Sequence, residues 1–154
     1  MKQIDPIYQK YLTSMMALCS RSEKCKWDIR ENLRRKAIKT PVVEEIIQIL
    51  ETEGFIDEMR YARAYVKDKI RLQGWGPVKI QAGLQAKNIP EAIALEALKS
   101  ADSQEYVENL QKALENKQQL LKEQNPIKRK EKLVRFALGR GYTYQQIYHV
   151  LNAL

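Results

Sequence analysis

The chain has 154 residues and a mass of 18.0 kDa, enough for one domain or a few small modules with a modest core. Its 27 Lys and Arg against 19 Asp and Glu give a formal charge of +8 and a pI near 9.5, which favours polyanionic or acidic partners. No apolar run approaches the roughly 20 residues that cross a bilayer, and the start Met-Lys-Gln-Ile-Asp-Pro lacks the apolar stretch of a signal peptide, so no membrane is expected among its partners and the expected location is the cytoplasm.

Strand signals are weak and Ala, Leu, Glu, Lys, Gln and Arg dominate, so the chain is predicted to be all-α. Helices are predicted near 7–19, 24–36 and 42–53, then 58–72, 77–87 and 90–101, then 103–123, 127–140 and 143–153. Their punctuation is Gly54 and Asp57, Gly76-Pro77, Asn88-Ile89-Pro90, Asn125-Pro126, and Gly141 followed by Thr143. Thr143-Tyr-Gln-Gln146 and Asp102-Ser-Gln-Glu105 read as capping boxes or close variants.

A self-comparison finds Ile29, Leu33 and Ile38 at the spacing of Ile80, Leu84 and Ile89, and of Leu133, Ala137 and Tyr142, a period of about 50 residues. A further helix follows each set, with apolar residues at Ile46, Ile47 and Leu50, at Ile93, Ala97 and Leu98, and at Ile147, Val150 and Leu151. The expected fold is therefore three tandem three-helix repeats, 1–56, 57–101 and 102–154, forming an elongated, curved array. Each repeat can build only a small core and must lean partly on its neighbours. Such a shape suits lying along another long object better than enclosing a catalytic pocket.

Cations recur on these helices at aligned spacing. Lys26, Arg30 and Arg34 rise along the second helix. On the fourth, Arg60, Arg63, Lys67 and Arg71 fall within an arc of roughly 80° beside the apolar Met59, Ala62, Val66 and Ile70. Lys79 follows the Gly-Trp-Gly-Pro break, and Lys128, Arg129, Lys130, Lys132 and Arg135 open the eighth helix. Like charges four residues apart repel, so their repetition points to an anionic partner, though Asp28, Glu31, Asp68 and Glu131 dilute the field and a single Lys or Arg commonly does no more than solvate a helix face. Tyr61, Tyr65 and Trp75 lie near the central ladder, where they would stack on bases, anchor a protein interface, or fill the crossing between helices; Trp27 and Tyr142 raise the same alternatives.

Catalytic signatures are missing from the sequence. Cys19 and Cys25 lie far from the single His149 and read as reduced thiols rather than metal ligands, and His149 as an exposed helical histidine without a partner. Gly74-Trp-Gly76 and Gly139-Arg-Gly141 are too short for a phosphate-binding loop. No catalytic residue, metal or cofactor is expected.

The stretch Gly54-Phe-Ile-Asp-Glu-Met-Arg-Tyr-Ala-Arg-Ala-Tyr-Val-Lys-Asp-Lys-Ile, followed by Gly-Trp-Gly-Pro-Val-Lys-Ile with Leu84 and Ile89, resembles the most recognisable block of the RecX family. Ala17-Leu-Cys-Ser-Arg-Ser-Glu-Lys with Ile29 and Leu33 is similar to that family's first repeat, and Leu133-Val-Arg-Phe-Ala-Leu-Gly-Arg-Gly-Tyr-Thr to its third. The resemblance implies a non-enzymatic modulator, monomeric by default, that docks in the groove of the RecA recombinase filament on single- or double-stranded DNA and restrains its ATPase, recombination and the SOS response. Its contacts would be Arg60, Arg63, Lys67, Arg71, Trp75 and Lys79 at the centre, Arg30 and Arg34 on one flank, and Lys128, Lys132 and Arg135 on the other. The alternative is a general DNA-binding helical module without RecA specificity. Against the family pattern, Ala37 and Asn88 stand where glycine commonly precedes the apolar residue and Cys25 where acidic residues are common; Asn is an acceptable left-handed cap and Ala a poor one, which leaves the end of the second helix open.

Overall fold

Helix starts in this chain follow from residues that satisfy or dispense with the first N–H groups. Pro stands in the first turn of α3 (Thr40–Thr52), α5 (Pro77–Ala86) and α8 (Pro126–Gly139), where its missing N–H is harmless. The Asp57 carboxylate accepts from Arg60 N–H to open α4 (Glu58–Asp68), and Thr143 and Gln146 close a capping box on α9 (Tyr144–Ala153). At α7 (Ser103–Leu120) Asp102 accepts instead from Gln104 N–H, two residues on, which is an Asx-type turn rather than the expected box.

The computed structural model describes residues 4–154, and the described residues are helical throughout, without a strand. A short 3₁₀ turn, Pro6–Tyr8, leads into α1 (Gln9–Arg21), α2 (Lys26–Arg35) and α3; α4, α5 and α6 (Glu91–Lys99) form the second set and α7, α8 and α9 the third. The predicted fourth helix, near 58–72, is α4 continued by a wider π turn, Lys69–Gln73, and the long seventh stops at Leu120 rather than 123.

The second helix of each set ends the same way. Ala37, Asn88 and Gly141 all adopt positive φ, at 59°, 57° and 95°. The N–H of the next residue then reaches back five positions: Ile38 to Leu33 O at 3.2 Å, Ile89 to Leu84 O at 3.1 Å, Tyr142 to Ala137 O at 3.3 Å. The period in the sequence is thus a repeated left-handed cap that tucks one apolar side chain under its helix. Ala37 holds it with a Cβ in the way.

The chain exposes 9813 Å², against roughly 8,000 Å² for a compact monomer of this mass, as an elongated array should. Its core is divided in two rather than three. The first set builds its own cluster around Leu12, Met15, Ile29, Leu33, Ile46 and Leu50. The second and third share a continuous one that runs from Val66, Ile80 and Leu84 through Leu110 and Leu114 to Ala137 and Ile147.

The reason for the merger is a backbone junction. Gly76 N–H donates to Arg140 O at 2.8 Å and Val78 N–H to Gly141 O at 2.9 Å, while the buried Tyr142 hydroxyl donates to Gly74 O at 2.8 Å. Burial pushes the Tyr142 phenol up to about 12, so it stays a donor at neutral pH.

The first set is joined to the second by polar clamps and one inserted residue. Lys87 Nζ lies 2.6 Å from Asp28 Oδ1 and 4.3 Å from the centre of the Trp27 ring. Arg60 Nε lies 2.6 Å from Glu23, and Cys25, fully buried, inserts into the second cluster beside Tyr61, with Trp27 half-buried against the same cluster. Burial raises the Cys25 thiol to about 11, and both cysteines are free, so Cys25 packs as an apolar side chain rather than acting as a nucleophile.

Two outcomes follow. Ala37→Gly removes the only Cβ among the three sets' left-handed caps that is neither Asn nor absent; unfolding in urea should show a gain of about 0.5–1 kcal/mol. At Asp28, burial alone would raise the carboxyl, but the Lys87 ammonium and the Cys25 N–H outweigh it and hold the group below its ordinary value. The clamp's contribution is therefore whole above the unfolded pKa near ~3.9 and is lost as pH falls through the lower folded value. Asp28→Asn should lower stability at pH 6 and leave it nearly unchanged at the acid end, measured by urea unfolding across that range.

Candidate functional site

The central ladder does not act as one row. Arg60 turns away from it: besides Glu23, its guanidinium donates to the carbonyls of Gly54 at 3.0 Å and Phe55 at 3.4 Å, fastening the end of α3 to α4. Arg63, Lys67 and Arg71 remain together. They line a groove of about 270 Å³ whose other wall is Ser100, Ala101 and Asp102 at the turn into α7. Arg63 and Lys67 are exposed and carry no ion pair within 4.0 Å among the described residues. Arg71 makes a loose one, 4.0 Å from Glu105.

The π turn decides where Arg71 points. Its extra residue interrupts the 100° increment behind the predicted arc, and the turn is held by Asn109, whose side-chain amide donates to Ile70 O at 3.0 Å. The segment closes on Gly74 at φ 64°, with Trp75 N–H reaching back to Lys69 O at 3.1 Å. Arg71 therefore leaves the helix axis from a fixed base, still within the groove of Arg63 and Lys67.

Trp75 and Lys79 sit differently from the expected contact surface. Trp75 is half-buried against the second cluster, and the ammonium groups of Lys69 and Lys79 each lie 4.6 Å from its ring centre. The ring supports two cations and is not bare for a base. Tyr61 is core, at 7% exposure, and Tyr65 packs half-buried with its hydroxyl over Gly83, where an added Cβ would lie 2.0 Å from that oxygen. A glycine in the middle of α5 was the sequence signal for this, and it reads as a weak helix position until the tyrosine is in place.

The flanking cations are largely committed. Arg30 makes two bonds to the Glu44 carboxylate, at 2.7 and 3.1 Å; the pairing raises the guanidinium and lowers the carboxyl. Arg34 lies 2.7 Å from Glu31 and Lys26 2.9 Å from Glu51, so the row along α2 is neutralised by its own repeat. On α8, Arg129 donates to Gln118, Leu121 and Glu123 carbonyls and caps the end of α7, a role no spacing rule exposes. Lys132 lies 3.5 Å from Glu123, while Lys128 and Arg135 are exposed without such a partner among the described residues. His149 is exposed. Among the described residues no group of three or more His, Cys, Asp or Glu is placed to hold a metal, and no helix is long and apolar enough to cross a membrane.

Comparison with known proteins agrees with this architecture. Residues 57–98 match the family model described as RecX, second three-helix domain, and residues 104–151 match RecX, third three-helix domain. The chain is 34% identical over 143 residues to the regulatory protein RecX of Clostridium acetobutylicum, covering 90% of this chain and 66% of that protein. It is 30% identical over 132 residues to the RecX of Prosthecochloris aestuarii, covering 86% and 85%. The chain thus spans about two thirds of the clostridial relative's length. In fold it is similar to the crystal structure of RecX from Lactobacillus salivarius, with a TM-score of 0.83 at 23% identity over 95% of both chains.

The division between spent and available cations is measurable. Arg60→Ala should lower stability by about 1 kcal/mol in urea unfolding and leave affinity for an oligothymidine strand unchanged. The double variant Arg63→Ala/Lys67→Ala should do the opposite, reducing the slope of log affinity against log salt by roughly 1–2 with the unfolding midpoint intact.

Proposed function

This chain belongs to the RecX family of regulatory proteins, and from that premise we propose that it binds the RecA filament on DNA and inhibits the recombinase's ATPase, restraining recombination and the SOS response from the cytoplasm, as a monomer and without chemistry of its own. The observation that carries this is the groove in which Arg63, Lys67 and Arg71 are gathered, Arg63 and Lys67 without an ion pair within 4.0 Å among the described residues while Arg60, Arg30 and Arg34 each have one. Three cations gathered this closely repel one another, and the Asp102 and Glu105 carboxylates of the same groove offset that only in part, with one loose pair at 4.0 Å.

A helical filament offers two kinds of anion along one groove, backbone phosphate and protein carboxylate. Arg63 and Arg71 present planar forks suited to bidentate contact with either, and Lys67 a point charge between them. The second and third repeats are welded by their shared core, so the groove and the α8 cations approach a filament as one unit. Spanning neighbouring protomers then shifts the balance of filament growth and loss. We assign Arg63, Lys67 and Arg71 the central contacts, with Lys79, Lys128, Lys132 and Arg135 outside them. Arg60 and Trp75 serve instead to hold these contacts in position, and Arg30 and Arg34 brace the first set.

The deciding experiment is ATP hydrolysis by the cognate RecA on single-stranded DNA as this protein is titrated in. Inhibition is expected well below one molecule per RecA protomer, with Arg63→Glu/Lys67→Glu weakening it roughly tenfold, about 1.4 kcal/mol of coupling. An unchanged rate at equimolar protein, with DNA binding retained, would leave only a DNA-binding helical module.

A further inference from the structure

We propose that the groove between α8 and α9 docks an acidic amphipathic peptide segment of a partner protein, one that offers large apolar side chains flanked by carboxylates. The groove measures about 490 Å³; Ile127, Val134, Leu138 and Tyr148 supply its apolar lining, and Lys130 and Arg135 stand at its sides with the single carboxylate of Glu131. Ile127 is 72% exposed and Tyr148 40%. Apolar side chains held this far into water, contiguous and rimmed by charge, mark a surface that another chain covers.

Charge selects the partner. From 126 to 154 the sequence carries Lys128, Arg129, Lys130, Lys132, Arg135 and Arg140 against Glu131 alone. An acidic segment gains from this field, and its apolar anchors gain from the floor, the arrangement of a helix laid into a groove. Nucleic acid fits less well. Three of the lining residues are aliphatic and present no ring to a base, and the aromatic faces are already engaged: Tyr144 and Tyr148 stack on each other with centroids 6.4 Å apart, and Lys130 Nζ lies 5.4 Å from the Tyr148 ring centre. The groove of Arg63, Lys67 and Arg71 differs in that its exposed lining is charged or polar, the three cations with Ser100 and Asp102, and its larger apolar members, Val66 and Ile70, are buried. The two surfaces therefore divide the work: the central one meets phosphate or carboxylate by charge, the C-terminal one reads a protein side chain by shape.

The test uses the full chain and fluorescence anisotropy of a labelled peptide of about 14 residues, four helical turns, with Leu and Phe on one face and Glu and Asp beside them. Its control replaces the Leu and Phe with Ser. The apolar peptide should bind roughly tenfold more tightly than the control, and Ile127→Ser/Tyr148→Ser and Lys130→Glu should each weaken it at least about fivefold with circular dichroism and the urea midpoint unchanged. Arg63→Glu should leave peptide binding as it is, and oligothymidine should not displace the peptide. Equal binding of both peptides, or full binding by the folded groove variants, overturns the proposal. Displacement by oligothymidine, with the groove variants losing DNA, would make the groove a nucleic-acid site instead. Because the readout is direct peptide binding, failure here leaves the filament reading untouched, and failure of ATPase inhibition leaves the groove standing.

Discussion

Two distant parts of this chain meet by backbone alone. At the start of α5, Gly76 and Val78 donate their N–H groups to the carbonyls of Arg140 and Gly141, and a Cβ built on Gly76 would lie 2.4 Å from the Gly141 carbonyl. One built on Gly141 would lie 2.3 Å from Lys79 Cβ. Two hydrogens thus let the α8–α9 turn serve as a cap for α5, satisfying helix-terminal N–H groups that would otherwise need water or a side chain. Everything near the ladder inherits that fixity. Tyr142 holds Gly74 by its carbonyl, Gly74 closes the π turn that carries Arg71, and Lys79 rises from the same contact to lie on Trp75.

Against that frame, the cations sort by whether the fold uses them. Arg129 ends a helix, Arg60 ends another while pairing with Glu23, and Arg30 lies in a two-pronged bond to Glu44. Each of these satisfies carbonyls or carboxylates of the chain itself, and for Arg60 and Arg30 a carboxylate lies within hydrogen-bond distance of the charge. Arg63, Lys67, Lys128 and Arg135 satisfy none by an ion pair within 4.0 Å among the described residues. A net positive balance is a statement about the whole surface, whereas the groove beside α4 is one place where three cations gather.

The tandem architecture was legible because its period is written in apolar spacing and because each left-handed cap leaves a mark: glycine at 141, asparagine at 88, and at 37 an alanine that the fold strains to accommodate. Cap residues such as Asp57, Asn125 and Thr143 were readable for the same reason, since their chemistry is local. The destination of each arginine was not. Arg60 and Arg63 share a helix and a residue type, and only Glu23, 37 positions upstream of Arg60, tells them apart. The π turn was equally hidden, because the bond that steadies it comes from Asn109 on another helix. The merger of two cores was likewise invisible, for a glycine in Gly-Trp-Gly-Pro reads first as a helix break and only afterwards as room for another backbone.

The unequal joints of the array bear on how it would meet a filament. Between the second and third sets the joint is a packed apolar core bordered by backbone bonds, with little to rearrange. Between the first and second it is Lys87 on Asp28 and Trp27, Arg60 on Glu23, and the inserted Cys25, with a separate cluster on its far side. Pairs of partly exposed charges are weak and adjustable compared with a packed core. The first set is therefore the part of the chain held by the more adjustable joint, and the row of cations along its α2, Lys26, Arg30 and Arg34, is paired within the set. The packed joint thus fixes the geometry of the Arg63, Lys67 and Arg71 groove relative to α8, while the polar joint is the one that can yield without opening a core.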